Sequence, residues 1–82
     1  MKRWADRGSL VAALRAMGLT PVQAEIAEAV GRGLTYREIA AERRCSHTAI
    51  KKQAEAALLR VGEPGERPRD TLRRLYVSVR AA

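Results

Sequence analysis

Lys51 and Lys52 are adjacent, and apart from Lys2 they are the only lysines in a chain that takes the rest of its positive charge from arginine. Both fall on the polar side of a pattern in which Ile50, Ala54, Ala57, Leu58 and Val61 recur at helical spacing, with His47, Thr48 and Glu55 on that same polar side. A long ammonium side chain offered from the first half of such a helix can donate to guanine O6 and N7 or reach a phosphate. Lys51 and Lys52 are therefore the leading candidates for reading bases. Glu55 can accept from cytosine N4 or pair with Lys51 one turn away, and the pair is the favoured reading although its order is the weaker orientation. Ser46 stands just ahead of the helix, where its hydroxyl can serve a backbone amide as a cap or contact a phosphate.

The elements that must hold these residues are marked by caps and breakers. Thr35 and Glu38 spell a capping box, after which Ile39 and Ala40 point inward and Arg37 and Glu42 outward. Arg44, Cys45 and Ser46 form the turn into the lysine-bearing helix, so the stretch from Thr35 to Val61 reads as a helix-turn-helix. Upstream, Thr20, Pro21 and Gln23 give a second capping box. It opens a helix whose Val22, Ile26, Ala29 and Val30 share a buried face, with Glu25 and Glu28 on other faces and Gly31 and Gly33 as its end. Before it, Ser9 is the expected cap of a short helix with Leu10, Leu14 and Met17 on its core side, ended by Gly18. Residues 1–8 read as a loose arm, with Trp4 folding back on the domain.

After Val61, the stretch from Gly62 to Pro68 holds two prolines and two glycines and reads as a loop. Asp70 is the expected cap of a last helix in which Leu72, Leu75, Tyr76 and Val79 form one stripe and Arg73, Arg74 and Arg80 face solvent. Arg67 and Arg69 are candidates to touch phosphate. No segment alternates as a strand does, so the predicted fold is all-α, a small bundle of four to five helices containing a helix-turn-helix.

Bulk properties narrow the function. The chain has 82 residues, enough for one domain and too few for an ordinary enclosed catalytic cavity. Its formal charge is +7, and the excess lies mainly after residue 41, which favours a polyanionic partner. The longest apolar run, Leu10 to Leu14, is far too short to span a membrane, and the first residues lack the apolar core of a secretion signal. A cytoplasmic protein with no membrane partner is expected. Cys45 and His47 are the only residues of their types, which leaves no disulfide and no metal-ligand set, and no cofactor is implied. Neither a nucleophile–base pairing nor a phosphate-binding glycine loop is present, so an enzyme is not expected.

Leu19-Thr20-Pro21, Glu25-Ile26, Gly33-Leu34-Thr35, Glu38-Ile39-Ala40, Ser46, Ile50-Lys51 and Gly62 together resemble the LuxR/GerE-type helix-turn-helix domain of bacterial transcription regulators. The resemblance needs no gap and covers about half the chain. It divides the protein into residues 1–18, an arm and short helix, and residues 19–82, the helix-turn-helix domain with its last helix. It implies a stand-alone regulator without a receiver domain, bound to double-stranded DNA through the helix from His47. On the same basis Lys51, Lys52 and Glu55 face bases, and Thr35, Tyr36, Ser46 and Thr48 lie near the phosphate backbone. The resemblance also implies a homodimer through the last helix, whose Leu72, Leu75, Tyr76 and Val79 would suit such a contact. Cys45 stands where the family has an aliphatic residue and is expected to be a small buried hydrophobe.

The chain departs from the pattern at Ala49, usually threonine, at Gln53, usually histidine, and at Arg43, usually leucine-like. Arg43 must therefore snorkel or find an acid. Two other readings stay open. The same motif resembles region 4 of bacterial sigma factors, which would make the protein an RNA polymerase-associated factor; or the fold serves as a protein-interaction module, as the weaker DNA face at Ala49 and Gln53 would suit.

Overall fold

Side-chain caps set four of the helix starts. Thr20 Oγ1 accepts the Gln23 amide at 3.2 Å while Gln23 Oε1 accepts the Thr20 amide at 3.1 Å. Thr35 and Glu38 repeat the exchange at 3.1 and 2.8 Å, and Ser46 Oγ accepts the Ala49 amide at 3.0 Å. Each such cap satisfies a backbone donor that the helix itself cannot. In the computed structural model, which describes residues 6–81, the helices are α1 (Arg7–Ala16), α2 (Pro21–Gly31), α3 (Tyr36–Arg43), α4 (His47–Val61) and α5 (Pro68–Ala81). No strand occurs among the described residues, and none of these helices is long and apolar enough to cross a membrane.

Two helix starts differ from the sequence expectation. Asp6 rather than Ser9 caps α1, its carboxylate accepting the Gly8 amide at 3.2 Å and the Ser9 hydroxyl at 3.4 Å. Gly8 thus lies inside the first turn instead of ending an arm; the expected packing of Trp4 lies outside the described residues. Helix α5 begins at Pro68, two residues before Asp70. Proline has no amide hydrogen to lose at a first helical position, and Asp70 sits in the first turn, where its charge suits the positive end of the helix dipole.

α2 is the hub, touching each of the other four helices. It contributes Ala24, Ile26, Ala27, Ala29 and Val30 to one core, which Leu10 and Leu14 of α1, Ile39 and Ala40 of α3, Ile50, Ala54 and Ala57 of α4, and Leu72, Leu75 and Tyr76 of α5 complete. Residues 7–16 therefore belong to the same core as the rest. Two expected core positions do not: Met17 falls just past the end of α1 and is 38% exposed, and Val22 lies at the rim of α2.

α2 and α5 meet where Gly31 faces Tyr76. A Cβ placed on Gly31 would sit 2.2 Å from the Tyr76 ring, so the glycine at the end of α2 is what lets the ring lie flat on the backbone. A buried carboxylate lies near the same helix end. Glu28, expected on an outer face, is only 2% exposed, because Arg7 and Arg32 close over it with Nε atoms at 3.0 and 2.8 Å. The two guanidinium groups offset the cost of removing the carboxylate from water. Arg43 pairs with Glu25 across the α2–α3 contact, the pairing that its departure from a leucine-like residue required.

Candidate nucleic-acid interface

The link between α3 and α4 is Arg44, Cys45 and Ser46. Arg44 adopts a left-handed conformation, φ 56° and ψ 47°. The Cys45 amide reaches back to the Ala40 carbonyl at 3.0 Å and the Arg44 amide to Ala41 at 3.3 Å, a Schellman closure. Gly33 closes α2 in the same way, with Leu34 bonded to Ala29 and Gly33 to Val30. An arginine thus occupies the conformation that the preceding helix gives to glycine. Cys45 is exposed, contrary to the expectation of a buried hydrophobe, because the turn carries it away from the core that Ala40 and Ile50 fill.

From Ser46 the chain enters α4, which is about 22 Å long at the standard rise per residue. Ile50, Ala54 and Ala57 hold it to the core. Thr48, Lys51, Lys52 and Glu55, three, four and seven residues apart, are exposed together on the opposite side. Neither lysine makes a hydrogen bond or ion pair with another described residue, and the Lys51–Glu55 pair is not formed. Ala56 and Leu59 are also exposed, Leu59 at 88%, beyond that row.

Tyr36, at the start of α3, is held from two sides. The His47 ring lies 6.4 Å away, tilted, and the Arg69 guanidinium sits 5.3 Å over the Tyr36 ring. Arg69 also donates to the Leu34 carbonyl at 2.7 Å, so the first turn of α5 grips the loop that leads into α3. The Tyr36 hydroxyl is shut off from solvent and has no hydrogen-bond partner among the described residues. Burial raises its pKa; the Arg69 charge opposes the shift, and Asp70 and Glu55 add to it. A direct phosphate contact by this hydroxyl, as the resemblance implied, is not what the geometry offers. Tyr36 instead anchors α5 and α4 to α3, and Arg69 is a clamp rather than a free phosphate ligand.

Of the remaining sequence candidates, Thr35, Ser46 and Thr48 are exposed near the starts of α3 and α4. The Thr35 and Ser46 oxygens already accept an amide, so each can offer its hydroxyl hydrogen to an anion. Arg37 and Arg44, not singled out from the sequence, are exposed cations on α3 and the turn. The signal that would have found them is the placement of the acids. Glu25, Glu28 and Glu42 engage Arg43, Arg7 and Arg32; Glu63 and Glu66 engage Arg74; Glu38 is in its capping box. The cations of the turn and of α4 are left without acid partners among the described residues.

The α5 stripe has a different role from the one expected. Leu72, Leu75 and Tyr76 are buried in the chain's own core and Val79 is partly covered, so they do not form an open dimer face. Among Arg73, Arg74 and Arg80, only Arg73 is free on the surface. Arg74 is half-buried against Glu66, with Nε at 2.7 Å, and also donates to the Val61 carbonyl at 3.2 Å, while Arg80 donates to the Tyr76 hydroxyl at 2.9 Å.

No protein-family model, curated protein or solved structure matches the chain. The fold class is that of a small all-α bundle in which two helices joined by a tight turn present an exposed basic row.

Proposed function

We propose that this protein is a sequence-specific DNA-binding transcription regulator of LuxR/GerE type, acting in the cytoplasm on double-stranded DNA and carrying out no catalysis of its own. The first half of α4 enters the major groove. Lys51 and Lys52 donate to base edges, Glu55 accepts from a cytosine amine, and Ser46, Thr48 and Thr35 fix the register on phosphates. Tyr36 supports them by packing. The observation that carries the reading is the row Thr48, Lys51, Lys52 and Glu55, exposed to solvent together, with neither lysine paired among the described residues. Glu25, Glu28, Glu42, Glu63 and Glu66 are engaged with arginines elsewhere, and Glu55 is the one acid in the row, which leaves a net cationic surface at the helix start.

The test is binding to duplexes selected from random DNA, followed by anisotropy over a range of salt. Affinity should fall steeply with salt, and Lys51→Ala with Lys52→Ala should weaken binding at least about tenfold and relax the preference for the selected sequence. Binding indifferent to salt, or unaltered by the double substitution, rejects the reading.

A further inference from the structure

A second surface lies at the opposite end of α4. There a groove of about 530 Å³ runs between α1 and the last turn of α4, lined by Ala12, Arg15 and Ala16 from one side, Leu19 and Pro21 at its base, and Arg60 from the other side. Ala12, Arg15 and Ala16 are spaced three and four apart and share one face of α1. Arg60 donates its Nε hydrogen to the Gly18 carbonyl, which fixes the guanidinium at the rim and leaves its two terminal amino groups without a partner among the described residues. Arg15 is exposed and its side chain has no ion pair or hydrogen bond among the described residues. The lining contains no acid, and the positive end of the α2 dipole opens into it at Thr20 and Pro21.

We infer that this groove docks an acidic amphipathic helix of another protein. Two guanidinium groups and a helix dipole, unopposed by any carboxylate in the lining, call for anionic side chains. Ala12, Ala16 and Pro21, exposed around the buried Leu19, call for an apolar face between those anions, which a polynucleotide backbone does not supply. Arg60 also lies about 20 Å along α4 from His47, beyond the half of the helix offered to DNA. The groove rests on its own residues and stands whether or not α4 reads a base sequence. Together the two surfaces would let one small chain hold DNA and a partner protein at once, at opposite ends of one helix.

The probe is a synthetic helix with leucines on one face and glutamates on the other, compared with a twin carrying glutamine for glutamate and titrated into isotope-labelled full-length protein. The acidic peptide should move the amide resonances of residues 12–20 and 60, and the glutamine twin should bind at least about tenfold more weakly. Arg15→Glu should weaken the acidic peptide by about tenfold or more, since it sets like charges face to face. Because Arg15 has no partner, that variant should retain its circular dichroism and melting temperature; Ala16→Glu, also exposed, gives an independent like charge with the same expected loss. Equal binding of the two peptides, or affinity unchanged in both variants, overturns the inference. So do resonance changes confined to Thr48–Glu55. Duplex DNA that moves the same groove amides and loses as much affinity as the peptide on Arg15→Glu would make this a nucleic-acid surface and overturn it equally.

Discussion

Gly31 and Tyr76 show how one missing side chain can set the distance between two helices. In an exposed helical position alanine is favoured over glycine by about 1 kcal/mol. At position 31 the sign reverses, because the added carbon would stand 2.2 Å from the root of a buried ring that has no free end to swing aside. Gly31→Ala should therefore destabilise the protein by about 1–3 kcal/mol, read as a lower urea midpoint with an unchanged slope. A more stable variant would mean that the ring can move and that the α2–α5 contact is looser than the packing shows. Tyr36 is the other instructive residue. Its ring joins three elements through His47 and Arg69, and its hydroxyl is turned away from the solvent that a phosphate would occupy.

At the scale of elements, the turn between α3 and α4 and the loop before α5 are stabilised by unlike means. Arg44 closes a Schellman motif in the left-handed region, where an L side chain costs roughly 1 kcal/mol. Arg44→Gly should raise stability by about 0.5–1 kcal/mol while weakening DNA binding, because it removes an exposed cation from the proposed interface. Stability and affinity moving in the same direction would contradict one of those assignments. In the loop, Glu66 accepts from Arg74, from the Thr71 hydroxyl at 2.7 Å and from the Glu63 amide at 3.0 Å, with its side chain 13% exposed. Arg74 first, then Thr71, then Glu63 lower its pKa from 4.5 to about 2. Since the folded value lies below the unfolded one, this contribution is complete above about pH 4.5 and is lost as the pH falls toward 2. Glu66→Gln should therefore be less stable than wild type at neutral pH, and the gap between the two urea midpoints should close as the pH approaches 2. A gap that stays constant with pH would show that the carboxylate charge is not what holds the loop.

At the scale of the whole molecule, the α5 stripe decides whether the chain is a complete bundle by itself. Leu72 has no exposed surface, whereas Val77, five residues on, is 57% exposed. Leu72→Ala should cost about 3 kcal/mol, the usual result of emptying a buried leucine site, and Val77→Ser should stay within about 0.5 kcal/mol. If stability were instead insensitive to Leu72, the stripe would be a surface and α5 a separable arm. The distribution of charge is also a property of the whole. Arg7 of α1, Arg43 of α3, Arg74 of α5 and Arg32 just past α2 find carboxylates on other segments, which leaves the cations of the turn and of α4 without acid partners among the described residues.

Much of this architecture was readable in the sequence because it rests on local physics. The two capping boxes, the Ser46 cap, the glycine ends of α2, the spacing of Ile50, Ala54 and Ala57, and the all-α class each follow from residues within a turn or two of one another. The first turns of α1 and α5 were misplaced by local rules as well, since Gly8 and Pro68 read as breakers yet sit inside helices whose neighbours hold them. What only the tertiary structure decided is which side of each helix is covered, and by what. Periodicity shows that Leu72, Leu75 and Tyr76 share a face but not that α1, α2 and α4 close over it. A charge run shows arginines and glutamates but not that Glu28 is buried beneath Arg7 and Arg32. Nor could spacing reveal that Arg69 lies on Tyr36, 33 positions away in the chain, or that Arg15 and Arg60 frame one groove. Contacts between distant segments depend on how five helices pack at once, and no residue encodes that alone.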